Sequence, residues 1–348
     1  MSQGPTRASR APVVILGLAL FAAGRAAPLA AQARPADLCD DAPRPLAVVN
    51  DAALRLPFLR ALPQSACPVK RAVIETRLDL ANQYVDLQDG ARAAFLDAET
   101  YRFDLAAAAP LGHGREIRVE LPVRARAGGF MDAPIESWHD LLGLPQDTRP
   151  EHPRNRVRFE VTDSSVAQPL LHETRSDVGL GDVTIRFLQR LGGGSGGPSA
   201  ALRAALKLPT GSSDDLFGSG AFDAALGLAA TARLAGGLWA HVNLDVAALG
   251  DSPLDRDGLE QSNVIAQALL ALEWRPWART RFLAQLASES TPLRVDVGEL
   301  DRGSLQLAWG FRQAFSSRLE AELGIAEDLQ VQTAPDLTVQ TALRWTPP

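Results

Sequence analysis

His139-Asp140 sets an imidazole beside a carboxylate, the two groups that general-base catalysis combines. Ile135, Trp138 and Leu142 recur at helical spacing around this pair and predict a short helix. Adjacent residues of a helix point about 100° apart, so Asp140 is poorly placed to orient His139. No His-x-Ser arrangement of the kind a lipid-cleaving nucleophile would use accompanies it. The five histidines, His113, His139, His152, His172 and His241, are scattered without the spacing of metal ligands. The sequence thus predicts no catalytic group, no metal and no cofactor, and a chain that is not an enzyme.

Cys39 and Cys67, the two cysteines, follow an export pattern. Arg7 and Arg10 precede an apolar run over residues 13–23, and Ala31-Gln32-Ala33 is an A-x-A cleavage site. The run is shorter than the roughly 20 residues a spanning helix needs, so residues 1–33 read as a cleavable signal peptide. Asp37, within Ala36-Asp37-Leu38-Cys39, stands where a lipoprotein site requires a small residue. Residues 34–70, with many Pro, Ala and charged residues, read as an N-terminal segment that is either periplasmic or a plug. In an oxidising periplasm the two cysteines could close one disulfide across it; the alternatives are unpaired thiols or an incomplete metal site.

Past about Arg71 the chain acquires a two-residue period. Leu305, Leu307, Trp309 and Phe311, for example, alternate with Gln306, Ala308, Gly310 and Arg312. In the first three candidate strands (residues 72–85, 100–109 and 115–125) one face carries Ile74, Leu78, Leu80 and Tyr84, then Tyr101, Phe103 and Leu105, then Ile117, Val119, Leu121 and Val123. The opposite face carries Glu75, Arg77 and Asp79, then Arg102 and Asp104, then Arg118, Glu120 and Arg124. Many long strands of this kind behind an export signal predict an all-β, antiparallel, up-and-down transmembrane β-barrel over residues 71–346. Its place is the outer membrane of a Gram-negative bacterium, with outer-membrane lipids and the barrel-assembly machinery as partners. Hydrophobic residues make up 46% of the chain, yet after residue 33 no apolar run could span as a helix. A net charge of −6 argues against nucleic acid, which needs a concentrated basic face. Lys occurs only at Lys70 and Lys207; the resulting Arg bias reads as genome composition.

Further strands are expected at residues 154–162, 180–190, 200–209, 221–234, 237–248, 263–274, 279–289, 304–315, 317–326 and 336–345. The total is odd, whereas single-chain bacterial barrels have an even number. Residues 126–153 look extracellular and 192–199 periplasmic, which suggests a returning strand at 166–173 after a turn at Asp163-Ser164-Ser165. Fourteen strands is the resulting expectation, with twelve the second choice. Trp274, Trp277 and Trp345 then fall at the periplasmic interface, where amphipathic rings sit among headgroups. The last strand, ending at Trp345, resembles the C-terminal signal that the assembly machinery reads, extended by Thr346-Pro347-Pro348.

Several blocks carry a resemblance. Gly128-Gly129-Phe130-Met131-Asp132, then Ile135-Glu136-Ser137-Trp138-His139-Asp140-Leu141-Leu142-Gly143-Leu144-Pro145, then Pro153-Arg154-Asn155 look like the central signature of an uncharacterised bacterial family, domain of unknown function 3187. Gly179-Leu180-Gly181-Asp182 and Leu206-Lys207-Leu208-Pro209-Thr210-Gly211 resemble its next blocks. The resemblance covers about Arg71 to Trp345 and implies an outer-membrane barrel, without established activity or catalytic residues. The chain is also distantly similar to barrels that take up hydrophobic compounds.

Residues 126–153 are the first candidate for function, because closing a barrel needs no such insertion. Gly128, Gly129, Phe130, Ile135, Trp138, His139 and Leu142 could form a gate in the mouth, a helix on the outer leaflet or a stabilising rim loop. The candidate lumen comprises Glu75, Arg77, Asp79, Arg102, Asp104, Arg118, Glu120, Arg124, Asp182, Arg186, Arg203, Lys207, His241, Asp245, Glu273 and Arg281. These either pair across strands as filling or line a hydrated path. The expected function is a passive channel or uptake barrel for small hydrophobic or amphipathic molecules. A non-transporting structural or surface-interaction barrel is the alternative, and a lipid-modifying enzyme a distant third. Oligomeric state is left open.

Overall fold

The computed structural model describes residues 37–143, 148–192, 197–256, 258–330 and 332–348. The expected signal peptide, residues 1–33, lies outside them. Strands β1 (Val73–Asp89), β2 (Arg92–Gly112) and β3 (Arg115–Ala127) are followed by helix α1 (Asp132–Leu142) and by short strands β4 (Arg158–Asp163), β5 (Leu171–Glu173) and β6 (Asp177–Leu180). Then come β7 (Thr184–Gly192), β8 (Ser199–Lys207), β9 (Asp223–Arg233), β10 (Leu238–Ala248), β11 (Glu260–Gln261), β12 (Val264–Trp277), β13 (Thr280–Glu289), β14 (Leu293–Arg294), β15 (Ser304–Ala314), β16 (Leu319–Asp328) and β17 (Leu337–Trp345). Twelve of these, β1–β3, β7–β10, β12, β13 and β15–β17, form a ring of antiparallel neighbours. Pairing of β17 with β1, from Leu337 opposite Asn82 to Trp345 opposite Ile74, closes it.

The ring therefore has twelve strands, not fourteen. Residues 154–162 and 166–173, expected to span, contribute only β4 and β5, which stack on the upper end of β2 beyond its pairing with β3. Loop parity cannot separate the two counts: an excursion that leaves and re-enters on one side satisfies it as well as two added spans. After the excursion, β6 pairs with residues 123–126 of β3 and β7 with residues 115–120, so the two are one strand interrupted at 181–183. Opposite the interruption is Pro122, which has no N–H to give the ladder but accepts from Gly181 N–H at 2.9 Å.

The alternation appears as a strict change of environment. Along β12 each residue from Val264 to Glu273 is exposed or buried in turn. Leu305, Trp309 and Phe311 face outward, as do Val119, Leu121 and Val123. Trp274, Trp277 and Trp345 are exposed at the end of the ring with the short turns. Leu270 lies near the middle of the outward face of β12. Leu270→Arg is expected to destabilise the barrel by about 2–4 kcal/mol, the cost of an arginine at the bilayer midplane. Denaturant unfolding in liposomes measures this, and an unchanged midpoint would contradict the lipid-facing assignment.

Candidate functional site

All sixteen candidate lumen residues project into the ring or its mouth, and most are buried. They form short ion-pair ladders across strands. Arg118 bonds Glu75 at 2.7 Å and Glu120 at 2.9 Å, and Arg186 reaches Glu120 at 3.0 Å. Arg77 pairs with Asp104 and, at 3.2 Å, with Asp79; Arg102 meets Asp104 at 2.8 Å. On the adjoining strands β8–β10 Arg203 faces Asp245 at 3.3 Å, and Lys207 pairs with Asp182 and Asp223. Arg281 bonds Glu273 at 2.6 Å, and His241 is buried between Glu273 and the Thr231 hydroxyl. The same inward parity brings in Arg312, Glu322, Glu116 and Arg344, which were not among the expected site residues. Strict alternation was the signal that could have added them.

Residues 37–70 occupy the space these side chains enclose. The segment rises from the short-turn end, bends at a helical turn around residues 52–58, and descends again. Cys39–Cys67 joins its two legs as a disulfide. Pro43, Pro45, Pro57, Pro63 and Pro68 prevent regular secondary structure, so the backbone must find partners on the wall. The N–H groups of Leu46, Ala47, Ala53, Leu59, Gln64 and Val69 donate to Gln285, Glu322, Gln83, Asp223, Asn243 and Glu116, at 2.7 to 3.2 Å. In the other direction Arg77, Arg124, Arg203 and Arg312 donate to the carbonyls of Ala47, Leu56, Leu62 and Pro45, at 2.7 to 3.1 Å. At the short-turn end a hydrogen bond from Arg190 holds the Asp37 carboxyl below its ordinary pKa.

The two ends of the lumen differ in chemistry. At the long-loop end Leu54, Phe58 and Leu59 of the bend join Val85, Leu96, Phe159, Leu254, Leu259, Leu293, Val295 and Leu300 in one apolar cluster that roofs the barrel. Arg55 stitches this roof to the loops, donating to the carbonyls of Thr333, Ser290 and Arg302 at 2.8 to 3.0 Å. At the short-turn end a cavity of about 300 Å³ lies between the segment and the wall, lined by Arg44, Glu75, Glu116, Arg118, Glu320 and Arg344 among others.

The 126–153 insertion packs on the outside of the barrel, not in its mouth. Its partners are Asn82, Tyr84 and Glu99, on the outward faces of β1 and β2, and just past it Arg156 bonds Asp97 on the same face. Glu99 accepts from the N–H groups of Phe130 and Met131, and Asp132 accepts from Asn82 at 3.0 Å, Arg149 at 2.8 Å and Asn155 N–H at 2.7 Å. Ile135 and Met131 are buried, whereas Phe130 and Leu141 are exposed. The side chains of Trp138 and Leu142 lie outside the described residues. His139 sits in α1, and no group of three His, Cys, Asp or Glu suited to a metal occurs among the described residues. Gly128 and Gly129 are required by contact: a Cβ on Gly128 would stand 2.0 Å from Asn155 O, and one on Gly129 (φ 67°) would stand 1.8 Å from the Glu99 carboxylate. Gly129→Ala should weaken the clasp by about 1–3 kcal/mol through backbone strain and displacement of Glu99. The expected readout is faster trypsin cleavage after Arg154 or Arg156 while the barrel persists; unchanged protection would contradict it.

A family model described as "Protein of unknown function (DUF3187)" matches residues 27–346. No curated protein matches the sequence. Among solved structures, the fold is similar to the COG4313 outer membrane channel from Pseudomonas putida F1, at 14% identity and a TM-score of 0.51, covering 84% of this chain and 97% of that one. More distant are the toluene transporter TbuX of Ralstonia pickettii (8% identity, TM-score 0.40, 87% and 95% covered) and the KdgM porin in complex with disordered oligogalacturonate (5%, 0.42, 79% and 99%). The fold is that of an outer-membrane barrel, with short turns toward the periplasm in such proteins.

Proposed function

The chain belongs to the DUF3187 family, and we propose that it is a gated outer-membrane channel, closed at rest by its own disulfide-tied N-terminal segment, for small amphipathic molecules. The supporting observation is how the segment is held. Its legs contact the wall largely through side-chain hydrogen bonds that water could replace, with small apolar patches at Leu46, Val48 and Ala66, whereas its bend sits in the largest apolar cluster. Removing it would leave a twelve-strand ring lined with charge, wider than the eight-strand barrels that side chains alone can fill.

The lining also bears on the solute. The apolar roof offers a surface to which the hydrocarbon part of a molecule can bind in competition with Phe58 and Leu59. Below it, ion pairs and amides such as Gln285, Gln306 and Gln340 suit a polar group. Both environments together favour the amphipathic end of the expected range over purely hydrophobic molecules.

The roof supports a second reading, a barrel that never opens, because moving the bend exposes a large apolar cluster. Planar-bilayer conductance separates the two. The intact protein should conduct weakly, and deletion of residues 39–67 should raise conductance by at least about tenfold, since the bare lumen then fills with water. A deletion variant that folds, by its heat-modifiable gel mobility, yet stays impermeable would favour the non-transporting barrel.

A further inference from the structure

We propose that the periplasmic cavity is a binding site for a small organic carboxylate, with Arg344 as its principal anchor; as an assignment of solute class, this rests on the channel reading. The acids around the cavity are already engaged. Glu75 bonds Arg118 at 2.7 Å, Glu320 bonds Arg44 at 2.7 Å, and Glu322 bonds Arg312 at 2.6 Å. Glu116 accepts from Val69 N–H at 2.7 Å and from the Gln64 amide at 3.2 Å. Three arginines on the lining are left over. Arg344 projects inward from β17 with its side chain 18% exposed, and its acidic partner, Glu75, is 3.9 Å away, beyond a hydrogen bond. Arg71 and Arg318, both on the lining, form no ion pair among the described residues.

A guanidinium without a bonded acid offers a planar fork of donors that matches a carboxylate in two-point geometry. The rest of the cavity is not charged throughout. Ala47, Leu62, Val69, Val73, Ala321 and Ala342 also line it. A cavity of about 300 Å³ is at the small end of the range for ligand sites. Its walls thus suit a compact apolar body carrying one carboxylate, which is the amphipathic chemistry that the roof and lumen offer in succession.

Calorimetric titration of the intact, disulfide-bonded protein in a non-ionic detergent tests this with benzoate, its neutral amide benzamide, and inorganic phosphate. Benzoate should bind saturably, benzamide should not, and phosphate should compete only weakly. Arg344→Gln should weaken benzoate by about tenfold, the scale of one charge-assisted contact. Arg318→Gln, in an exposed turn where folding is not at stake, should weaken it by a smaller factor. Absence of saturable benzoate binding, equal binding of benzamide, equal benzoate affinity in both variants, or a clear preference for phosphate would each overturn the assignment. Liposome swelling with benzoate separates its failure from that of the channel: binding without passage in the segment-deleted protein removes the channel and keeps the site, and passage without binding does the reverse.

Discussion

Wall side chains that hydrogen-bond the backbone of an irregular segment are the constraint on which the interior depends. A proline-rich chain cannot satisfy its own peptide groups, and inside a barrel few waters can do so for it. The wall supplies acceptors where the segment has N–H groups and arginines where it has carbonyls, as at Glu116 for Val69 and Arg124 for Leu56. Arginine suits this work because one guanidinium can serve a carboxylate and a carbonyl together, as Arg77 does with Asp104 and Ala47. The Arg bias of the composition thus has a structural use in the lumen, whatever its genomic origin.

The same constraint divides the interior into wet and dry parts. Each polar contact contributes only about 0.5–1.5 kcal/mol net, or somewhat more where one partner is charged, because water competes for both groups. The apolar bend is different, since exposing Leu54, Phe58 and Leu59 has no such compensation. The disulfide spans 28 residues and contributes about 3.5 kcal/mol in the chain-entropy picture by keeping the two legs together. The segment is therefore fastened at its ends, by the roof above and the disulfide below, with a stretch held mainly by polar contacts between them.

The sequence makes the wall legible and hides what fills it. Lipid on one side and side-chain polarity on the other impose a two-residue period, so residues such as Leu121 and Glu120 announce their faces without any knowledge of partners. Strand number was less accessible, because β4 and β5 carry strand-like composition but are too short to span, and a count based on parity accepts either total. The path of residues 37–70 has no periodic signal at all; it is fixed by hydrogen-bonding groups scattered around the ring, such as Gln83 on β1, Asn243 on β10 and Glu322 on β16. The clasp was half visible. Gly128-Gly129 marks a sharp departure, but Glu99, the group that makes a Cβ intolerable there, belongs to another strand and is distant in sequence.

The clasp's place on the outer wall follows from the height of the hairpin beneath it. β1 has 17 residues and β2 has 21, whereas a spanning strand needs about 9–11, so both rise well beyond the membrane. Above Leu80 and Tyr101 their outward residues turn polar, at Asn82, Glu99 and Asp97, and these are the groups that the insertion and the following Arg156 cover. The inward residues of the same stretch, Val85, Ala94, Leu96 and Ala98, form part of the roof. An unsupported two-stranded ribbon is marginal in water. By bonding Asn82, Tyr84 and Glu99, and by linking Arg149 to Asp336 at the start of β17, the 126–153 insertion holds that ribbon upright and so holds one side of the roof. It braces the roof from outside, so in the proposed channel the passage of a solute would fall to the lumen wall and the segment within it.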